Sequence, residues 1–399
     1  MIRVAQLALL LTACFLLSAC ATGEKVIKIG AAVSESGRYA QEGNLTRQGY
    51  LLWEEWVNER GGIDVGGEKY EVELIMYDDR SDPDRTAELV AQLIDEDEVD
   101  FILGPYSSTL TQPAIEVAEN RGVILVEATG ASERLFEQSF ENLFAVMTPA
   151  GSYTESALRL LADLGAKSVV IAYADALFPM SVAEGAEAWA KQYGMDVLAV
   201  EGYPQDVTDV SGIVSRFKAL EPDVFVGGGY FNDTVLFVRA SKELDFNPKA
   251  TVMTVGPTNP ALIDEVGADA NYLVGPTQWE PSMSYRGDYF GSASDYAELF
   301  RQKWGELPVY QSASSTAAAL ALQLAIEAAG SLDSAAVRAA LRNLDTDTYY
   351  GPISFDAYGK NTAKPMGAIQ IQDGKVLVVA PVDAAAAEVV FPAPGWEDR

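Results

Sequence analysis

Four short segments carry residue types that grip a small ligand without reacting with it. Gly104-Pro105-Tyr106-Ser107-Ser108-Thr109 leads from an apolar strand pattern into a helix pattern. Free amides at such a helix start, with the dipole behind them, favour an anionic group such as a carboxylate. Ser108 adds a hydroxyl donor, and Tyr106 stands two residues before it. Ser107 or Ser108 would serve equally as an ordinary helix cap, and both readings stand. Ala128-Thr129-Gly130-Ala131-Ser132 follows the apolar run 123–127 and is either a polar rim or a glycine turn with a serine cap. Gly227-Gly228-Gly229-Tyr230 offers amides and an aromatic wall, without the spaced three-glycine fingerprint of a dinucleotide site. Ser36-Gly37-Arg38-Tyr39-Ala40-Gln41-Glu42-Gly43 reads as a glycine-bounded loop that places Tyr39 and Glu42 over a cleft.

Reactive chemistry finds little support. The chain has no histidine, which removes serine–histidine and cysteine–histidine catalysis and histidine-ligated zinc. Of the two cysteines, Cys14 and Cys20 both lie in the first twenty residues, so neither core has a disulfide. The acidic runs at 78–84 and 95–98 lack the alternating spacing with a central glycine that a calcium loop needs, and read as caps and turns. Neither catalytic residues, nor a metal, nor a cofactor is expected.

Ligands of open parallel sheets sit beyond the carboxyl ends of strands, so the four segments need strands behind them. The pattern supplies these. Strand and helix signals alternate as 26–30, 45–58, 71–77, 84–95, 99–103, 108–119 and 123–127. They resume as 168–173, 181–192, 196–200, 210–220, 223–226, 234–244 and 251–255. Such alternation argues for an α/β fold of parallel sheets covered on both faces. Long helices follow at 292–304 and 312–329, a shorter one at 334–344, then a hairpin turning at Asp373-Gly374. The stretch 101–108 weakly echoes 225–232, each passing from apolar strand through small residues to tyrosine and a polar helix start.

The N-terminus sets the compartment. Arg3, an apolar core from 7 to 17 and Leu17-Ser18-Ala19-Cys20 are similar to a lipoprotein signal peptide. That resemblance implies removal of 1–19, lipidation of Cys20 and a tether over 20–25, placing the protein outside the cytoplasm on a membrane. A net charge of −30 argues against nucleic acid or anionic lipid headgroups as partners.

The chain resembles the substrate-binding proteins of ABC importers in the leucine/isoleucine/valine-binding group. The resemblance rests on Ile27-Lys28-Ile29-Gly30, Asn58-Glu59-Arg60-Gly61-Gly62-Ile63, the stretch 77–83, Leu103 to Ser108, Tyr349-Tyr350-Gly351-Pro352 and Phe391-Pro392-Ala393-Pro394-Gly395-Trp396. It implies a type 1 periplasmic-binding-protein fold: two doubly wound parallel-sheet lobes joined by three hinge crossovers. Lobe one would be 26–147 with 277–363, and lobe two 148–276 with 364–399. It further implies a monomer that closes on its ligand and is then recognised by a membrane permease, without covalent chemistry. Position by position, Ser108 matches the serine on the ligand carboxylate, and Thr129 and Ala131 the residues completing that grip. A one-residue shift would bring in Ser132 instead. Tyr230 matches a lobe-two tyrosine, and Phe178 stands where relatives often carry tyrosine. Amino-acid binders of this group often place an acid after Gly-Pro to pair the ligand ammonium, whereas here the run is Gly256-Pro257-Thr258. Glu42, Glu280 or Asp175 would then substitute, or the ligand has no ammonium. Trp279 and Tyr153 are either walls for an apolar side chain or core. The expected ligand is a branched-chain or other hydrophobic amino acid. The alternatives are an amide or aromatic acid lacking an amine, or a sensory role.

Overall fold

A computed structural model describes residues 25–381 and 384–399. The expected signal peptide, Cys20 and the tether up to residue 24 lie outside the described residues. Alternating apolar runs form two separate sheets. The first holds β1 (Val26–Val33), β2 (Ile63–Val65), β3 (Glu68–Asp78), β4 (Phe101–Leu103), β5 (Leu125–Glu127) and β6 (Leu143–Ala145), in the order β2-β3-β1-β4-β5-β6. Only the β2–β3 pairing is antiparallel. The second takes β7 (Ser168–Ala174), β8 (Asp196–Tyr203), β9 (Val224–Gly228), β10 (Ala250–Met253) and β11 (Leu273–Thr277). A short hairpin, β12 (Asp345–Thr348) with β13 (Gly351–Ser354), stands apart. The antiparallel pair β14 (Gly367–Gln372) and β15 (Lys375–Ala380) then completes the second sheet in the order β15-β14-β11-β10-β9-β7-β8. The expected fold, two doubly wound lobes, is the one found.

Strand order locates the ligand crevices. In the first sheet β3 lies on one side of β1 and β4 on the other, so the order reverses at the β1/β4 edge. In the second sheet β8 and β9 flank β7 in the same way. Each reversal leaves a gap beyond the carboxyl ends of two strands, where the loops diverge to opposite faces. The loops at the two gaps are 34–39 and 104–107 in one lobe, and 175–176 and 229–230 in the other. The internal echo of 101–108 and 225–232 therefore joins β4 to β9, strands at equivalent places in the two sheets.

Several helices begin two to five residues earlier than their apolar spacing suggests. They run from Ala40 to Asn58, Leu177 to Gln192, Phe231 to Glu243 and Tyr310 to Ala329. Glu42 thus sits in the first turn of a helix and not in a loop. The helix Glu155–Asp163 and the strands β6 and β11 are absent from the sequence-based reading. At three to nine residues they are too short for a clear period. The turn between β14 and β15 has φ of +49° at Asp373 and +69° at Gly374, the left-handed pair that a two-residue hairpin requires.

The helix Tyr310–Ala329 is buried over most of its length and packs on Ala40–Asn58. Gly49 permits the contact: a Cβ there would stand 2.3 Å from the Ser312 carbonyl oxygen. Thr316 Oγ1 donates to the Gly49 carbonyl at 2.7 Å, fixing the helices in register. Among the described residues no single helix is long and apolar enough to cross a membrane.

The chain passes between the lobes three times, and the crossings are bonded to one another. Gln278 Nε2 donates to the Thr148 carbonyl at 3.1 Å, and the Thr148 amide donates to Gln278 Oε1 at 3.2 Å. Thr148 Oγ1 donates to the Lys364 carbonyl at 2.8 Å, and Lys364 Nζ donates to the Gln278 carbonyl.

Candidate ligand-binding site

The two crevices face each other, and aromatic rings from both lobes fill the space between. Tyr39 and Tyr106 of the first lobe pack on Tyr230 of the second at centroid distances of 5.0 and 6.2 Å. Phe178 adds a fourth ring, 5.9 Å from Tyr230, and Tyr153 a fifth, 5.0 Å from Phe178. The Arg38 guanidinium lies over Tyr39 at 5.2 Å and donates to Gln205 Oε1 at 3.3 Å. Burial raises the hydroxyl pKa of Tyr39, Tyr106 and Tyr230, so all three stay neutral. The Tyr230 hydroxyl is buried without a hydrogen-bond partner.

The loop that presents Tyr39 is held from behind by the acidic turn after β3. Ser81 Oγ accepts from the Tyr39 amide at 3.1 Å, and Asp79 Oδ1 accepts from Ser34 Oγ at 2.6 Å. Gly37, at φ +86°, lies so close that a Cβ would stand 2.3 Å from the Arg80 carbonyl oxygen. Asp82 accepts from the Arg85 amide and caps the helix Pro83–Asp95. The acidic run is thus a structural turn, as its spacing suggested.

Beside the rings begins the helix Ser108–Arg121. Ser107 occupies its N-cap with a positive φ of +76°, outside the helical regions, and makes no capping bond with its side chain. Its buried hydroxyl and that of Thr109 are unpartnered. Ser108 Oγ accepts from the Ser132 amide at 3.0 Å. The capping reading of Ser107 and Ser108 therefore fails on geometry: neither hydroxyl closes the helix end. Such a strained, uncapped start is the arrangement that receives an anion.

Glu127, the last residue of β5, holds the neighbouring loop, and sequence reasoning overlooked it. Its buried carboxylate accepts from the Thr129 amide at 2.6 Å, the Gly130 amide at 2.7 Å and Thr111 Oγ1 at 2.8 Å. Desolvation raises its pKa, opposed by these donors. The signal was available: an acid ending an apolar strand immediately before Ala128-Thr129-Gly130. Thr129 Oγ1 donates to the Pro105 carbonyl at 3.1 Å, tying the two rim loops together. Ser132 is committed elsewhere, its hydroxyl meeting Ser181 Oγ at 2.7 Å and the Leu177 carbonyl at 3.1 Å. Ala131 is buried in the same loop.

Glu42 is 2 % exposed, with the Phe231 amide of the opposite lobe within reach of its carboxylate. Desolvation pushes its pKa up to about 7. Tyr310, likewise buried, lies near Glu42 and Tyr153 and was not foreseen. Ser108, Thr129, Ala131, Tyr106, Tyr39, Glu42, Tyr230 and Phe178 thus come to one place.

Two expected residues do not join them. Trp279 packs edge-on to Tyr296 at 5.7 Å, and its Nε1 donates to the Tyr349 carbonyl at 2.9 Å. It is a core residue, because the chain after β11 folds down against the helix 293–304. Thr258 lines a different cavity, of ≈370 Å³, together with Glu280, Ile263, Leu307 and Val309. Its buried hydroxyl is unpartnered. Glu280 accepts from Thr277 Oγ1 at 3.2 Å, and desolvation pushes it up to about 8. Asp175 is exposed.

Known proteins with this arrangement are numerous. The chain is 28% identical to Leu/Ile/Val-binding protein homolog 7 of Brucella suis biovar 1 (strain 1330), across 94% of this chain and 97% of that protein. It superposes on the branched-chain amino acid transporter substrate-binding protein LivJ of Streptococcus pneumoniae, solved with isoleucine, at a TM-score of 0.78 and 22% identity. That match covers 92% of this chain and all of LivJ. A solute-binding protein of an R. palustris ABC transporter, solved with benzoate, matches at a TM-score of 0.75 and 15% identity, over 93% of this chain and 97% of that one. The family described as periplasmic binding protein matches residues 26–375, and the chain belongs to it.

Proposed function

We propose that this protein captures a small carboxylate, a branched-chain or other hydrophobic amino acid, between its two lobes and delivers it to an ABC importer. One observation carries the reading. The uncapped start of the helix Ser108–Arg121 stands at one switch point, directly against the aromatic rings of the other. The carboxylate belongs at the amides after Ser107 and at the Ser108 hydroxyl, with Thr129 and Ala131 completing the rim. Tyr39, Tyr106, Phe178 and Tyr230 wall the apolar part. Closure brings both sets together, so the closed form exists in quantity only when ligand touches both lobes. Residues 26–147 with 277–363 form one lobe and 148–276 with 364–399 the other. The bonded crossings at Thr148, Gln278 and Lys364 support those boundaries. The protein acts as a monomer outside the cytoplasm, held to the membrane by a lipid on Cys20, and makes no covalent bond to its cargo.

A second reading has its own support: Thr258 carries no charge, and a relative of the same fold is solved with benzoate. Thermal melting of protein stripped by unfolding and refolding separates the two. A ligand at a hundred times its Kd adds about 2.7 kcal/mol, a rise of a few degrees. Leucine-like amino acids are expected to give that rise. A rise with benzoates alone would move the cargo to amine-free acids, and none with any carboxylate would end the proposal.

A further inference from the structure

The ligand reading leaves open which group, if any, meets an ammonium. We propose, resting on that reading, that Glu42 receives the ammonium of an α-amino acid, so that the site selects amine-bearing acids over their amine-free counterparts.

Five acids lie near enough to consider, and four are committed or misplaced. Glu127 is spent on the Thr129 and Gly130 amides and on Thr111 Oγ1. Asp233 accepts from the Tyr230 amide at 2.8 Å and closes the start of its own helix. Asp175 is exposed. Glu280 is bonded by Thr277 and faces the cavity beside Thr258 and Leu307, away from the rings. Glu42 remains. It is buried, yet among the described residues no lysine or arginine nitrogen comes within 4.0 Å of it. A buried carboxylate without a cation is costly unless one arrives.

Arg38 and two backbone amides apart, the groups around it suit an incoming cation. On its own side Arg38 acts only at a distance, its guanidinium engaged by Gln205 and the Tyr39 ring. Tyr106 arrives from the end of β4 and Tyr310 from the buried helix 310–329, both close enough for Glu42 to raise their pKa further. From the other lobe come Asp233 and the Phe231 amide, with Tyr230 next in the chain and packed on Tyr39. The tyrosine faces attract an ammonium, and Asp233 adds a second negative charge. Because Glu42 belongs to one lobe and Tyr230 with Phe231 to the other, an ammonium between them is held by both at once.

Binding then couples to protons. Burial pushes the Glu42 pKa up to about 7, and pairing with an ammonium ionises it, so uptake releases protons near neutral pH and fewer as pH rises.

The test is calorimetric, on the refolded chain, with L-leucine and L-phenylalanine against 4-methyl-2-oxopentanoate and phenylpyruvate, repeated in two buffers of different ionisation enthalpy. Wild type is expected to prefer each amino acid by at least about 100-fold, with the stated proton release. Glu42→Gln is expected to close that gap to about threefold, while its unliganded melting temperature at pH 8 is no lower than wild type. Glu280→Gln is expected to keep the preference. Retained preference in Glu42→Gln, its loss in Glu280→Gln, or no proton release at pH 7 would overturn the assignment and leave Glu42 an interlobe contact. Tight binding of the oxo acids by wild type would overturn it while sparing the carboxylate reading. If no carboxylate binds, both fall.

Discussion

At the scale of single residues, the site is built from polar groups whose partners lie in the wrong place for a purely structural role. Ser107 stands at a helix start and does not cap it, while Glu127, at a strand end, bonds two amides and a hydroxyl of the rim. Replacing Glu127 by alanine leaves buried amide donors on Thr129 and Gly130 without acceptors. The expected cost is about 2 kcal/mol of stability, read from the urea midpoint, with weaker ligand binding alongside. Glu127→Gln, which keeps one carbonyl acceptor, should lose less. An alanine variant with wild-type midpoint and affinity would show that the rim holds itself. Ser108, Thr129 and Tyr230 were singled out because small and hydroxyl residues follow apolar runs there, and Phe178 through the family resemblance. Glu127 and Tyr310 were not, because a buried acid or tyrosine looks in sequence like any other. Trp279 stayed open between wall and core for the complementary reason: a large aromatic after a strand suits both, and its packing on Tyr296 puts it in the core.

At the scale of elements, the three crossings carry the most unusual group. Lys364 is buried, stands 4.5 Å from the Tyr350 ring centroid, and is pulled down to about 7 by desolvation. Above about pH 10.5 neither the folded nor the unfolded chain protonates this lysine, and it costs nothing. As pH falls from 10.5 to 7 the unfolded chain takes up the proton and the folded chain does not, so stability declines. Below 7 both are protonated and the loss is constant. Lys364→Met should therefore raise the melting temperature relative to wild type most near pH 6.5 and least near pH 10. An equal difference at both would place the lysine's charge in water. The alternation of strands and helices made both sheets legible, down to the hairpin at Asp373-Gly374. Helix starts were less so, since the first turns of Ala40–Asn58 and Phe231–Glu243 lack the apolar period, the second being closed by Asp233 on the Tyr230 amide. That shortfall put Glu42, already singled out by its place over a cleft, in a loop, whereas in the fold it is a buried residue of a helix's first turn.

At the scale of the whole molecule, two sheets share the same strand reversal, and each contributes what the other lacks. One lobe brings the open helix start, the other the ring of Tyr230 and the start of its helix. The contacts of Tyr39 and Tyr106 with Tyr230 bring the two crevices together, and the three crossings are bonded to one another. A ligand bound to one lobe alone would gain half the contacts and would not close the molecule. The most direct test is small-angle X-ray scattering of stripped protein, before and after saturation with leucine, for wild type and Ser108→Ala. The account predicts that leucine lowers the radius of gyration of wild type and that the variant needs at least about tenfold more leucine for the same change, the loss of one hydrogen bond to a charged group. A radius of gyration unmoved by every carboxylate that binds would contradict closure as the working step.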